Sequence, residues 1–252
     1  MDFIKNDKSR RLYRNYENLI KSLVGKKYIL SKFLDPYEQN LLKSLLNKHQ
    51  LYYKIFKTHP LAERALIIFS RNQIESLELA LAEVTCLVIE NPHPNIKHPD
   101  VLGAIMSLSI DRENVGDILV SEDKIEISVL RDVADYIRFN INQINKHPVK
   151  LIDKNSPYLD EAMLKFEDKI VSLSSPRLDN FVSAAINLSR SKAQTIIKAE
   201  KVKLNHVRTK NPANQVNVGD AISIRGYGRF YYEKFVTKTK KEKDRICIRK
   251  II

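Results

Sequence analysis

The sequence predicts an α+β protein built from a helical N-terminal segment, a middle domain of strands and helices, and a small basic C-terminal module. Three observations lead to this prediction. Apolar residues recur at helical spacing in the first 49 residues, whereas short apolar runs alternate with helical patterns from residue 50 onward. The last third of the 252-residue chain then combines two short amphipathic helices with strands rich in lysine and arginine.

The N-terminal segment, residues 1–49, is predicted to contain two helices. Basic side chains surround a sparse apolar stripe in residues 4–23. Asp35-Pro36 is predicted to begin the second helix, because proline is tolerated in the first helical turn, where a backbone N–H has no intrahelical partner. The buried face of that helix is predicted from leucines at three- and four-residue spacing: Leu41, Leu42, Leu45 and Leu46.

The middle domain, residues 50–155, is predicted to be a mostly antiparallel sheet with helices covering one face. Its strands are short apolar runs bounded by turn residues. The predicted strands are residues 51–56, 65–69, 84–90, 117–120, 124–129 and 149–152, and the predicted helices are residues 100–109 and 131–144. The polar residues 156–175 are predicted to be a linker or short leading segment.

Positive charge is concentrated at the C-terminal end of the chain, whose formal net charge is +13. From Val171 onward there are 18 Lys and Arg against 6 Asp and Glu, whereas the residues before Val171 hold 25 against 24. Such asymmetry predicts a polyanionic partner that binds mainly through one domain. A merely solubilising tail would be poor in apolar residues, and this segment is not.

The composition also disfavours several protein classes. No apolar run approaches the roughly 18–20 residues needed to cross a bilayer, and residues 1–16 are charged throughout, unlike a signal peptide. Cys86 and Cys247 are far apart and match no metal-binding spacing. We therefore expect a cytoplasmic protein with reduced thiols, no cofactor and no membrane partner.

The C-terminal module, residues 176–252, is predicted to pack two helices on a small twisted sheet, followed by a basic hairpin. Ser189 is placed to cap the second helix, which is predicted to run from Arg190 to about Glu200. Open backbone N–H groups at the start of this helix, together with its positive dipole end and adjacent cations, form a predicted phosphate site. One polar stripe is predicted on the helix from Arg190, Gln194, Lys198 and Lys201.

The terminal hairpin is predicted to turn within residues 240–244. Aromatic residues stand next to cations in its first strand, which suits stacking on exposed bases. Phe230, Tyr232 and Phe235 could instead belong to the core, and the sequence leaves both interpretations open.

Four motifs in the module occur in the order of a known RNA-binding domain. They are residues 177–179 (Arg-Leu-Asp), 189–193 (Ser-Arg-Ser-Lys-Ala), 202–205 (Val-Lys-Leu-Asn) and 216–220 (Val-Asn-Val-Gly-Asp). Together they resemble the S-four type RNA-binding module, which is named for a protein of the small ribosomal subunit. Glu200-Lys201 and His206 stand where that module often has glycine.

Upstream motifs resemble the bacterial YlmH family, and the likeness extends across nearly the whole chain. They are residues 33–36 (Phe-Leu-Asp-Pro), 98–104 (His-Pro-Asp-Val-Leu-Gly-Ala) and 111–118 (Asp-Arg-Glu-Asn-Val-Gly-Asp-Ile). The resemblance implies a middle domain related to RNA-recognition folds. It also implies binding to rRNA and tRNA on a large ribosomal subunit that carries an obstructed peptidyl-tRNA, in ribosome-associated quality control. We expect a monomer.

The residues predicted to bind RNA all lie in the C-terminal module. They are Arg177, Ser189, Arg190, Ser191, Lys192, Gln194, Lys198, Lys201, Lys203, Asn205, Arg208, Lys210, Arg225 and Arg229.

Catalytic and metal-binding interpretations are weaker. The Arg-Leu-Asp triplet also occurs in pseudouridine synthases, but a long active-site domain would have to follow it, so we interpret Asp179 as a first-turn residue near the positive end of a helix dipole. His93, His98 and Asp100 could ligate a metal, but the flanking prolines favour a turn. Arg112 is predicted to lie in a solvated turn from which it could touch RNA.

We expect no enzymatic activity. Two alternative functions remain open at this point. One is an RNA-modifying enzyme that uses the basic module for docking, and the other is a division-linked scaffold that binds proteins through the near-neutral N-terminal half.

Overall fold

A computed structural model describes residues 7–239 and 242–251 of the chain. The chain divides into two compact units, Met1–Met163 and Leu164–Ile252. Each unit combines helices with antiparallel sheets, so the predicted mixed α and β class is confirmed. Within the described ranges, no helix is long and apolar enough to cross a membrane.

The first unit begins with two helices packed on a three-stranded antiparallel sheet. The helices are α1 (Asp7–Lys21) and α2 (Pro36–Lys48), and the strands are β1 (Ile29–Leu30), β2 (Tyr52–Lys57) and β3 (Ala65–Ser70), in the order β1-β3-β2. Leu42 and Leu46 of α2 share a buried core with Ile67 and Phe69 of β3. The boundary expected after residue 49 therefore does not separate two cores, because the strands cover the apolar face of the helices.

The predicted start of α2 is confirmed. The Asp35 carboxylate accepts a hydrogen bond from the Glu38 amide at 2.9 Å, and the Glu38 carboxylate accepts one from the Asp35 amide at 2.9 Å. This reciprocal capping box satisfies two backbone donors, and Pro36 occupies the first turn.

A four-stranded antiparallel sheet forms the rest of the first unit, with strand order β5-β6-β4-β9. In chain order the elements are α3 (Glu78–Ala82), β4 (Val84–Glu90), α4 (His98–Ser107), β5 (Val115–Val120), β6 (Lys124–Leu130), α5 (Arg131–Asn140), β7 (Gln143–Ile144), β8 (His147–Pro148) and β9 (Leu151–Asp153). Val101 and Ile105 of α4 and Ala134 and Ile137 of α5 are buried with the strands in one core. The short helix α3 was not predicted, and α5 ends earlier than expected because Ile141 is extended.

Gly116 of β5 leaves no room for a side chain. A Cβ atom at this position would lie 2.7 Å from Phe33 Cε1 and would also collide with the Ser128 hydroxyl. We therefore expect Gly116→Ala to lower the free energy of unfolding by about 1–3 kcal/mol, because the buried neighbours would have to shift. Chemical denaturation of the purified protein measures this.

Gly103→Ala is the matched control for Gly116→Ala. Gly103 lies within α4, and a Cβ atom there would have no neighbour within 4 Å. Alanine should raise the free energy of unfolding by about 0.5–1 kcal/mol, because glycine is a poor helix former. Equal effects of the two substitutions would contradict the packing described around Gly116.

The second unit packs two helices on one face of a six-stranded antiparallel sheet, in the order β10-β15-β14-β13-β11-β12. Its elements are β10 (Phe166–Leu173), α6 (Leu178–Ala185), α7 (Arg190–Lys198), β11 (Val202–Leu204), β12 (Val207–Arg208), β13 (Ala221–Ile224), β14 (Gly228–Lys238) and β15 (Asp244–Ile251). Phe181 of α6, Ile197 of α7 and Ile222 of β13 are fully buried in its core. Part of the predicted hairpin turn, residues 240 and 241, lies outside the described residues.

Strand β10 corrects the prediction of a linker at residues 156–175. All eight of its residues pair with β15, from Phe166 opposite Ile251 to Leu173 opposite Asp244. Its charged residues gave the segment a linker-like composition, but Asp168 forms a bidentate ion pair with Arg249, at 2.8 Å for both hydrogen bonds. The polar pattern reflects cross-strand pairing at the edge of a sheet.

Candidate nucleic-acid interface

Asp179 organises the predicted RNA-binding residues at the start of α6. Its side chain is 0% exposed. Arg177 donates two hydrogen bonds to the carboxylate, at 3.1 and 3.0 Å. Arg190 Nε and Gln194 Nε2, both on α7, donate to Asp179 Oδ2 at 3.1 and 2.8 Å. One buried carboxylate thus fixes three side chains that were predicted to contact RNA.

The charge of Asp179 is maintained by these contacts. Burial alone would raise the pKa of the carboxyl group, but the hydrogen bonds from Arg177, Gln194 and Arg190 outweigh it and hold the pKa well below its usual range. The two arginine side chains remain partly exposed, at 33% and 49%. Their outward N–H groups can therefore still bind an anion while the buried carboxylate orients them.

The loop before β13 supports the start of α6. The amide of Leu178 donates to the Asn214 carbonyl at 2.8 Å, and the amide of Asp179 donates to the Pro212 carbonyl at 3.0 Å. Arg177 also forms an antiparallel bridge with Gln215. These backbone contacts therefore fix the position of Arg177 next to Asp179.

Helix α7 begins as predicted, with Ser189 as its N-cap. The Ser189 hydroxyl accepts a hydrogen bond from the Lys192 amide at 3.3 Å. Ser189, Arg190, Ser191 and Lys192 are all exposed at this helix start. The first turn therefore presents hydroxyl groups and cations to solvent beside a positive dipole end.

The polar stripe of α7 is shorter than predicted. Arg190, Gln194 and Lys198 lie on it at four-residue spacing, but the helix ends at Lys198. Glu200 adopts a left-handed conformation with φ +56°, and the Lys201 amide donates back to the Ile196 carbonyl at 3.2 Å. This turn terminates the helix, so Lys201 was wrongly included in the stripe.

A second group of predicted residues lies on the sheet face that points away from the helices. Arg208, Lys203, Ser223 and Arg229 stand opposite one another across β12, β11, β13 and β14. Directly opposed residues share a face, whereas Val202 on the same strand points into the core. The Ser223 hydroxyl, which the sequence did not single out, accepts a hydrogen bond from Arg229 Nε at 3.1 Å.

Lys201 and Arg225 lie at the edge where α7 meets the sheet. The Arg225 amide donates to the Lys201 carbonyl at 2.9 Å, which places the two exposed residues side by side. The predicted cations thus form one group around Asp179, one group across the sheet, and this pair beside the end of α7.

Two of the predicted RNA-binding residues also have polar partners within the same unit. Asn205 donates to Asp220 Oδ1 at 2.8 Å and accepts from the Ala221 amide at 2.9 Å, so its amide group fixes the turn into β13. Lys210 forms a 2.8 Å ion pair with Glu200. Both contacts join residues distant in sequence, which motif spacing cannot show.

The hairpin aromatics divide between core and surface. Phe230 and Tyr232 are 4% and 5% exposed and belong to the core, so they are unavailable for stacking on bases. Phe235 is 47% exposed, as is Tyr227 at 43%. Of these four aromatic residues, Phe235 and Tyr227 are the two whose rings are exposed to solvent.

In the first unit, Arg112 is half-buried and does not lie in a fully solvated turn. Arg112 donates to the Val115 carbonyl and, at 3.2 Å, to the Gly116 carbonyl. Burial lowers the pKa of its guanidinium to about 10. These hydrogen bonds tie the Arg112 side chain to the start of β5. No cluster of three or more metal-ligating side chains occurs within residues 7–239 and 242–251.

Comparisons with known proteins identify two matched family models and a similar relative. Residues 75–157 match the family model described as "Putative RNA-binding domain in YlmH", and residues 176–222 match the S4 domain, which is the S-four type module. The chain is 31% identical over 219 residues to "Ribosome-associated protein quality control protein P2" of Bacillus subtilis, with 86% of this chain and 85% of the relative covered.

A solved structure is also similar to part of the chain. It is titled "Cell division protein ylmH from Streptococcus pneumoniae" and has 22% sequence identity and a TM-score of 0.49. The alignment covers 59% of this chain and 92% of that chain.

Proposed function

Because the chain belongs to the YlmH family, we propose that it binds structured rRNA and tRNA on a large ribosomal subunit that still holds an obstructed peptidyl-tRNA. In this role it would act as a monomeric factor in ribosome-associated quality control. The Bacillus subtilis relative is named for that process, and both matched models describe domains of RNA-associated families. The proposed role is one of binding and not of catalysis.

The buried Asp179 network is the observation that best supports RNA binding. A buried carboxylate that orients Arg177, Arg190 and Gln194 holds these donors in place before any ligand arrives. Such preorganisation reduces the entropy lost when the side chains bind. Planar guanidinium groups held in this way suit the paired oxygens of a phosphate.

The proposed contacts are mainly to phosphates and to RNA shape. In A-form RNA the major groove is too deep and narrow for side chains to read base edges. Cations spread over α7 and the outer sheet face can instead follow a folded backbone. This mode of binding makes affinity strongly dependent on salt, because each phosphate contact releases counterions.

Binding to purified large subunits, with and without peptidyl-tRNA, tests this proposal. Six or more phosphate contacts should make the affinity fall about a thousandfold between roughly 50 and 200 mM salt. Subunits that carry peptidyl-tRNA should bind at least about tenfold more tightly than vacant ones, because tRNA adds further phosphates to the site.

Vacant small subunits serve as the control for that experiment. Equal affinity for both forms of the large subunit would contradict the tRNA contact. Preferential binding to small subunits would contradict the proposed location.

A further inference from the structure

The near-neutral charge of the first 170 residues conceals two oppositely charged segments. Residues 1–57 contain 13 Lys and Arg against 5 Asp and Glu, whereas residues 58–170 contain 12 against 19. Residues 1–57 therefore carry a formal net charge of +8, and their excess of cations is comparable to that of the C-terminal module. All of this segment lies outside the two matched family models, which cover residues 75–157 and 176–222.

Four exposed cations of this unit lie at the end of the first sheet where β1 begins and β3 ends. They are Lys21, Lys26, Lys27 and Arg71, which we call the N-terminal basic edge. Lys21 ends α1, and a tight turn through Gly25, with φ +77°, leads to Lys26 and Lys27. In that turn the Val24 amide donates to the Lys21 carbonyl at 3.3 Å, so the turn stays close to the helix end.

Ser70 brings Arg71 to the same edge. The Ser70 hydroxyl donates to the Lys27 carbonyl at 2.6 Å and accepts from the Asn72 amide at 3.1 Å. The first contact joins the end of β3 to the segment before β1. Arg71 lies between Ser70 and Asn72 and is therefore held next to that segment. Cations that are about 45 residues apart in sequence are thereby placed next to each other.

The basic edge is not neutralised by nearby carboxylates. In the part of the chain that the structure describes, the charged groups of Lys21, Lys26, Lys27 and Arg71 form no ion pair and donate no hydrogen bond. Elsewhere in the same unit, other cations do have carboxylate partners, as in Lys32–Glu113, Lys124–Asp160 and Arg138–Asp135, each at 2.8 Å. The unpaired charges at the basic edge repel one another, and a bound polyanion would relieve that repulsion.

Two tyrosines lie beside these cations. Tyr28 follows Lys27 directly and is 36% exposed, and Tyr52, opposite Ser70 on the neighbouring strand, is 54% exposed. Exposed aromatic rings interleaved with lysine and arginine suit unpaired nucleotides, whose bases stack while their phosphates meet cations. This combination favours RNA over other polyanions.

We propose that the N-terminal basic edge is a second RNA-contacting surface, which binds phosphates of a single-stranded or loop segment. The inference rests on the proposed function, since it assumes that the partner of the C-terminal module is RNA. Two surfaces on one chain that engage one RNA raise the apparent affinity beyond that of either surface alone.

Charge reversal in the full-length protein tests the proposal. Lys26→Glu with Lys27→Glu should lower affinity for purified large ribosomal subunits about tenfold and reduce the salt dependence by about one to two phosphate contacts. Lys57→Glu with Lys165→Glu is the matched control. It makes the same change of charge at exposed positions that lie outside both matched family models, and it should alter affinity less than about twofold.

A C-terminal variant, Lys198→Glu with Lys203→Glu, separates this proposal from the function on which it rests. If that variant loses binding and Lys26→Glu with Lys27→Glu matches its control, the second surface is refuted and the proposed function stands. If none of the variants changes affinity, both proposals fail. Loss of binding to vesicles that contain phosphatidylserine, with unchanged affinity for subunits, would assign the edge to lipid and overturn the proposal.

Discussion

Replacing Asp179 with alanine should destabilise the C-terminal unit by about 2–4 kcal/mol and abolish RNA binding. The carboxylate is buried and accepts hydrogen bonds from Arg177, Arg190 and Gln194. Without it, two guanidinium groups would face each other with no anion between them. Hydrogen exchange of α6 and α7, together with chemical denaturation, measures the loss.

Asp168→Ala is the matched control, since Asp168 also forms a bidentate pair with an arginine. That pair lies at a sheet edge, where the Asp168 side chain is 46% exposed and Arg249 keeps a second partner in Glu233. Its removal should cost less than about 1 kcal/mol. Similar losses for the two alanine variants would refute the role assigned to Asp179.

The same carboxylate predicts a particular dependence on pH. Because its pKa is lowered in the folded protein, Asp179 contributes its full stabilisation above the ordinary aspartate pKa of about 4 and loses it as the pH falls further. The difference in unfolding free energy between the native protein and Asp179→Ala should therefore be constant near neutral pH and shrink below about pH 4.

The second large effect is expected from Lys198→Glu with Lys203→Glu, which should lower the affinity for large ribosomal subunits at least about 100-fold. Each substitution removes a cation and turns an anion toward RNA phosphates. Both side chains are exposed, and neither has a partner in the part of the chain that the structure describes. The fold should therefore be retained, which circular dichroism and thermal unfolding would verify.

Arg190 is unsuitable for the same test. Its guanidinium donates to the buried Asp179, so Arg190→Glu would place two carboxylates together and unfold the site as well as remove a cation. The exposed pair Lys57→Glu with Lys165→Glu again provides the control for charge. Unchanged co-sedimentation of Lys198→Glu with Lys203→Glu would contradict the assignment of the interface.

Local signals in the sequence predicted local structure well. Asp35-Pro36 and Ser189 were identified as helix starts because a cap and its partner amide lie within three residues. Apolar residues at helical spacing and the Ser189 cap likewise placed both C-terminal helices. These features depend on neighbouring residues, so spacing alone suffices to find them.

Features that depend on distant contacts were missed. Asp179 was interpreted as a helix-start residue, because its contacts with Arg190 and Gln194 span 11 and 15 positions. Strand β10 was taken for a linker, because its partner β15 lies at the other end of the module. Positive φ angles at Glu200 and His206, where related modules often have glycine, also became apparent only in the folded backbone.

Photo-crosslinking of the full-length protein to RNA in cells, followed by identification of the crosslinked peptides and the attached RNA, tests the central claim most directly. We expect peptides from residues 177–229, which contain Arg190, Lys198 and Lys203, to be joined to rRNA of the large subunit and to tRNA. Crosslinks confined to the first unit, or an attached RNA unrelated to the ribosome, would contradict it.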